Sequence, residues 1–221
     1  MSAAQAPPAP DHWSVVVPVK RLAVAKSRLL GLARQTRAEL ALAFAADTVA
    51  AALASPVVVD VVVVTDEPVA ARELGGSGAT IVPDLPGAGL NAALRYGAGV
   101  ARAARSVGGI AALASDLPAL RAADLTLALI SSTASLSFVP DAGGGGTTLL
   151  AARDVSAFTP SFGAGSAARH AAAGAVRLDL PVPSLRRDVD TTEDLADALA
   201  LGVGAHTSAV VRRLGLARRP G

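Results

Sequence analysis

The chain has 221 residues, a length that suits one α/β domain; 52% are hydrophobic but only 3% aromatic, so the core must be built from Ala, Val and Leu. It has no cysteine, which rules out disulfides, zinc–thiolate sites and a thiol nucleophile, and suits the cytoplasm. A net charge of only +2, scattered arginines and the lack of any apolar run near the roughly 18 residues of a membrane span argue against nucleic-acid and membrane partners.

The opening MSAAQAPPAPDHW has neither a basic nor an apolar leader region and reads as a disordered tail over residues 1–13. SVVVPV (14–19) is a β-branched run of strand length. A helix is expected over about 36–55, where Thr36 and Glu39 have capping-box spacing and Pro56 lies just past the end. VVVDVVVVTD (57–66) is nearly continuously apolar, as in a strand covered on both faces, and ATIVPD (79–84) is a third strand. LNAALRYGAGVARAARSV (90–107) predicts an amphipathic helix, and GIAALASDLPAL returns a strand that ends at Asp116. After a short helix from about Ala122 come the strands LSFVPD and TTLLAAR, separated by AGGGG. A helix at about GSAARHAAAG, a short strand near Val176 and a helix from Thr191 or Thr192 follow, with residues 206–221 expected as a loose tail.

Alternating strands and helices predict a mainly parallel sheet, covered by helices on both faces, in one domain over 14–205. Ligands in such sheets lie beyond the carboxyl ends of the strands. That places 18–26, 65–66, 83–91 and 116–118 on the candidate rim.

The residues that could carry chemistry fall into three groups. The first is a pair of lysines: 18 of the 20 basic residues are arginine, yet Lys20 and Lys26 share the loop VPVKRLAVAKSRL. Lysine is a compact point charge on a flexible stem, suited to contacting phosphate, although a solvated loop would also accept the pair. The second group is carboxylates. Asp116 closes a buried strand, and LRRDVDTTEDL sets Asp188 and Asp190 one residue apart, about 6.5–7 Å along one face of an extended segment. Two like charges so close need a cation. Either Arg186 and Arg187 supply it, with Asp190 capping the next helix, or a metal ion does. Oxygen ligands without Cys or a nearby His favour Mg²⁺, which keeps waters and substrate phosphates in its shell. The third group is PSFGAGSAARH, where Gly163 and Gly165 leave backbone amides approachable and Ser166 adds a hydroxyl at a helix start, a pattern suited to an anion or to a plain capped loop. Thr147 and Thr148 offer further hydroxyls. Asn91, the single asparagine, either caps the following helix or reads a nucleobase edge. His12 and His206 fall in expected tails, His170 reads as a solvated helix residue, and no G-x-S-x-G elbow supports a serine hydrolase.

VPVKRLAVAKSRL, GLNAAL, SDLPAL, SFGAGSAARH and RRDVDT together resemble the guanylyltransferases of coenzyme F420 biosynthesis, which join GMP to 2-phospho-L-lactate in archaea and to phosphoenolpyruvate in actinobacteria. The likeness covers most of 14–205. It implies a nucleotidyltransferase fold of GT-A-like, Rossmann-like type, with Asp116, Asp188 and Asp190 as Mg²⁺ ligands and Thr148, Gly163 and Ser166 on phosphoenolpyruvate. The Ala- and Arg-rich composition looks like that of a GC-rich actinobacterium, favouring phosphoenolpyruvate over 2-phospho-L-lactate or 3-phosphoglycerate. Most sugar-phosphate nucleotidyltransferases carry a glycine-rich loop after the first strand, but here the first glycine is Gly31. Lys20, Lys26 and Arg28 are then expected on the GTP phosphates, Asn91 on the nucleotide, and Lys20, Lys26 and Asp116 as the catalytic set. The product would pass to a downstream transferase of the same biosynthesis. A reading from another class takes DVD literally, as the D-x-D of a metal-dependent GT-A glycosyltransferase.

Overall fold

Valine runs set the centre of the molecule. The computed structural model describes residues 12–20, 22, 26, 28, 29, 31–104 and 108–216. Within them β1 (Trp13–Pro18), β2 (Val58–Val64), β3 (Thr80–Val82), β4 (Gly109–Leu113), β5 (Leu136–Pro140), β6 (Thr147–Ala152) and β7 (Val176–Arg177) form one sheet in the order β3-β2-β1-β4-β6-β5-β7. β1 pairs in parallel with β2 and β4, β2 with β3 and β5 with β7, whereas β6 runs antiparallel between β4 and β5. The sheet is mixed and mainly parallel, as expected.

Alternate residues of β1 enter different cores. Val15 and Val17 pack into one apolar layer, and Val16 packs into the opposite one with Val62 and Val64. Both faces are therefore apolar, which is why these strands read as continuous hydrophobic runs. Helices α1 (Arg34–Leu53), α2 (Pro68–Gly75), α3 (Leu90–Ala104) and α4 (Ala122–Ser131) cover the parallel part. Gly97 lets α3 lie close on the sheet, because a Cβ there would come within 2.6 Å of Val16 and 2.7 Å of Val64. The chain ends through α5 (Ser166–Ala172), α6 (Pro183–Arg186), α7 (Thr192–Leu201) and α8 (Ala205–Arg213). None of the described helices is long and apolar enough to cross a membrane.

Four expectations need correction. Trp13, placed in the tail, is fully buried in β1; residues 1–11 lie outside the described ones. The Thr36–Glu39 capping box does not form: α1 begins at Arg34, and Glu39 instead accepts hydrogen bonds from Gln35 at 3.4 Å and Arg213 at 2.5 Å. β4 ends at Leu113, so Asp116 stands on the loop beyond the strand. The loose tail expected from 206 is largely α8, with only 217–221 outside the described residues. Asp47, on α1 and 6% exposed, accepts the first amides of that helix, His206 N–H at 3.0 Å and Thr207 N–H at 2.8 Å. A carboxylate at a helix N-terminus satisfies orphan donors and opposes the positive end of the dipole. This cap comes from 159 residues upstream, beyond the reach of local pattern reading.

Candidate active site

Strand order reverses direction between β1 and β4, and the crevice at such a point is where open sheets bind ligands. Pro18 at the end of β1 and Leu113 at the end of β4 line a cleft of about 310 Å³ there. Lys20, Lys26, Asp116, Asp190 and Phe162 line it too. Of the expected rim, Thr65 and Asp66 are engaged locally: Thr65 Oγ1 accepts from Glu67 N–H at 3.1 Å and Asp66 from Asp84 N–H at 2.9 Å.

The charged end of the cleft is held by one lysine. Lys26 Nζ donates to Asp116 Oδ2 and, at 3.0 Å, to Asp190 Oδ1. Burial acts to lower its pKa and is the largest single influence, but Asp116 and then Asp190 together outweigh it and hold the ammonium above its usual range. Lys26 adopts a left-handed backbone, φ 54°, unusual for a residue other than glycine. The segment bearing Asp188 and Asp190 is tied to Asp116 by its backbone, Val189 N–H donating to Asp116 C=O at 3.1 Å. Arg28 reaches Asp190 at 3.8 Å but is 77% exposed.

The neighbouring arginines do not neutralise the aspartate pair. Arg187 turns to Asp194 at 3.2 Å and Asp197 at 3.3 Å, and Arg186 donates to the carbonyl of Asp141 at 3.1 Å. Asp190 is not the helix cap either, since Thr191 and Asp194 form the capping box of α7. Lys26 serves Asp116 and Asp190, which leaves Asp188. Burial, followed by Asp116, Asp141 and Asp190, pushes its carboxyl up to about 7. Asp141 follows β5 as Asp116 follows β4, so the same strand-end pattern marks both carboxylates. Among the described residues no three acidic or histidine side chains converge as a preassembled metal shell. The donor chemistry nonetheless fits a hard cation: only carboxylate oxygens are offered, and they outnumber the ammonium that serves them.

Phe162, also on the cleft, leads into the loop before α5. Gly163 and Gly165 take positive φ of 120° and 71°, which frees the backbone between them to turn its amides outward. Among the described residues the N–H groups of Gly163, Ala164 and Gly165 find no acceptor. The two hydroxyls expected here lie deeper: Ser166 is 1% exposed, and the fully buried Thr148 donates to Val139 C=O at 3.4 Å. Asn91 neither caps nor faces the cleft as a free amide. It accepts from Phe162 N–H at 2.8 Å and donates to Phe162 C=O at 3.2 Å. His170, expected in solvent, is fully buried against Phe138 and Phe162.

The family model described as Guanylyl transferase CofC like matches residues 13–221. The chain belongs to that family. A protein of Streptomyces coelicolor named phosphoenolpyruvate guanylyltransferase is 57% identical over 92% of this chain and 97% of its own, and one of Thermomonospora curvata with the same name is 55% identical over 91% and 90%. Among solved structures, a nucleotidyl transferase from Methanothermobacter shares the fold with a TM-score of 0.61 at 21% identity, covering 91% of this chain and 99% of that one. A chain from Desulfovibrio desulfuricans G20 does so at 0.65 and 17%, covering 92% and 95%. The fold of this guanylyl transferase family member is thus of the expected nucleotidyltransferase type, and the family match sets the D-x-D glycosyltransferase reading aside.

Proposed function

We infer that this family member transfers GMP from GTP to phosphoenolpyruvate, releasing pyrophosphate and giving enolpyruvoyl-2-diphospho-5'-guanosine for coenzyme F420 biosynthesis. The observation that carries this is a cleft lined by Lys26, Asp116 and Asp190 together with Phe162, the residue before the loop 163–165 whose N–H groups find no acceptor among the described residues, in a chain of this family.

The acceptor phosphate is already an anionic nucleophile, so the reaction needs no general base. One of its oxygens forms a bond to the α-phosphorus of GTP, and the bond from that phosphorus to the α–β bridging oxygen breaks in line, with the electron pair leaving on pyrophosphate. Catalysis is then positioning and charge neutralisation. Lys20 and Lys26, with Arg28 at the mouth, bind the triphosphate. Gly163, Ser166 and Thr148 serve the acceptor, the amides around Gly163 making the direct contact. Asp116, Asp188 and Asp190 would hold Mg²⁺, which when bound supplies positive charge opposite the phosphates. This chain, which has no cysteine, would work in the cytoplasm and pass its product to a further transferase of the same biosynthesis.

The test is mass spectrometry of purified protein with Mg²⁺, GTP and, in separate reactions, phosphoenolpyruvate, 2-phospho-L-lactate or 3-phosphoglycerate. Product and pyrophosphate are expected with phosphoenolpyruvate. Turnover of another phosphoacid alone would overturn the acceptor, and undiminished turnover in excess chelator would overturn the metal.

A further inference from the structure

The residues just before Gly163 are held more firmly than a surface loop requires. All four backbone polar groups of Ser161 and Phe162 are bound by side chains from elsewhere. Ser161 N–H donates to His170 Nε2 at 3.0 Å, and Ser161 C=O accepts from Arg169 Nε at 3.1 Å and Nη2 at 2.8 Å. Both polar groups of Phe162 go to the amide of Asn91. Arg169 also donates to Ala164 C=O at 2.5 Å. In contrast, the next three N–H groups, those of 163–165, find no acceptor among the described residues. The loop is fixed at its base and open at its tip.

The bonds of His170 define its state. A ring nitrogen that accepts from a backbone N–H carries no proton, so the neutral imidazole must hold its proton on Nδ1. That proton points to Thr147 Oγ1 at 3.0 Å. One ring therefore joins the loop to β6, and the next residue of β6, Thr148, accepts from Ala114 N–H at 2.8 Å on the cleft wall beside Asp116. Asn91 makes the matching link to α3, whose Leu90 and Leu94 line the same cleft.

We propose that His170 and Asn91 are positioning residues for the acceptor: they lock Ser161 and Phe162 so that the amides of 163–165 face the incoming phosphoacid. The proposal rests on the guanylyltransferase reading above and gives Asn91 a role in the acceptor loop rather than at the nucleobase. Preorganised donors cost no reorganisation when the anion arrives, so loosening them raises the acceptor's KM and leaves GTP alone.

Steady-state kinetics on Asn91→Leu, His170→Leu and His170→Gln decide it. The two leucine variants are expected to raise KM for phosphoenolpyruvate by about tenfold or more, with KM for GTP within about twofold. His170→Gln, whose amide oxygen can still accept from Ser161 N–H, should recover most of the loss. Unchanged acceptor KM in folded Asn91→Leu, or an equal rise for GTP, overturns the proposal. Nitrogen-15 NMR of wild type, with only three histidines to assign, should show His170 protonated at Nδ1 and bare at Nε2; the opposite tautomer overturns it even if the histidine variants fail to fold. Should wild type prefer another phosphoacid, the acceptor assignment falls, and the same comparison is made with that acid. Should wild type use none, the reading of the function has failed, and the tautomer still decides the network.

Discussion

The two ends of the cleft achieve order by opposite means. At the Lys26 end, formal charges crowd: an ammonium whose side chain is 10% exposed serves two carboxylates, and a third, Asp188, is pushed up to about 7 by burial and by the carboxylates of Asp116, Asp141 and Asp190. At the Gly163 end, a neutral imidazole, a neutral amide and the Arg169 guanidinium hold the backbone through its N–H and C=O groups, and the groups left over are N–H donors. The first end offers more carboxylates than its ammonium serves, and the second offers N–H donors without acceptors among the described residues. A triphosphate with its metal suits the first, and a small phosphoacid suits the second.

The largest effect should come from the charged end. Asp116→Asn, Asp188→Asn and Asp190→Asn are each expected to lower turnover at least about 100-fold, or about 2.7 kcal/mol in the barrier. Their stabilities should diverge. Asp116→Asn removes a partner of buried Lys26 and should lower Tm, whereas Asp188→Asn relieves crowding with Asp116, Asp141 and Asp190 and should raise it. Thermal melts and rates on the same preparations check this. An active but less stable Asp188→Asn would make the cluster a structural ion network and remove the contrast between the two ends.

Acid should strike the Gly163 end. Burial, then Arg169, lowers His170 from 6.5 to about 4. A histidine depressed in the folded state contributes stability in full above pH 6.5 and loses it as pH falls toward 4. The difference is about 3 kcal/mol, because each pKa unit is worth about 1.4 kcal/mol. Urea unfolding between pH 7 and pH 4 should show this loss in wild type and most of it missing in His170→Gln. Equal slopes would mean that the imidazole is already charged or exposed.

Much of this was legible in the chain. The valine runs marked β1 and β2 because a doubly covered strand has no polar side to confuse the period, and the three aspartates and the Gly163 loop were recognisable from residue type and spacing. What escaped was whatever depends on contacts distant in sequence. Lys26 meets Asp116 across 90 residues and Asp190 across 164, so local reading offers the aspartate pair only Arg186 and Arg187 or a metal ion, and not this lysine. Asn91 meets Phe162 across 71. His170 and the α8 segment looked solvated because their partners, Thr147, Ser161 and Asp47, lie on other elements. Local pattern reports the strength of a residue's own preference, and these residues are placed by someone else's.

A smaller effect tests the open tip. Gly163 has φ 120°, where L side chains are strained, and its Cβ direction meets only Arg169, at 3.5 Å. Gly163→Val should therefore suffer from backbone shape more than from collision, at about 1–3 kcal/mol. The expected result is a rise in KM for phosphoenolpyruvate of roughly tenfold or more with GTP handling retained. Loss of GTP affinity instead would assign this loop to the nucleotide.

The smallest effect should come from Arg28, and it sharpens the contrast between buried and exposed charge within one end. Arg28 lies 3.8 Å from Asp190 with its side chain 77% exposed, whereas Lys26 is 10% exposed and touches the same carboxylate at 3.0 Å. An exposed pair contributes at most about 1 kcal/mol and is screened over a Debye length of roughly 8 Å at physiological salt. Arg28→Ala should thus leave Tm nearly unchanged and raise KM for GTP by about two- to fivefold at low salt, with the difference fading as salt is added. Lys26→Ala should raise it by about 1.5–3 kcal/mol, as for a charge-assisted hydrogen bond to phosphate, and the penalty should persist in high salt because the site is shielded from solvent ions. Measuring KM for GTP at low and high salt in both variants separates the two roles. If the Arg28 penalty also persists in salt, the loop closes over the triphosphate and carries that arginine into the buried cluster.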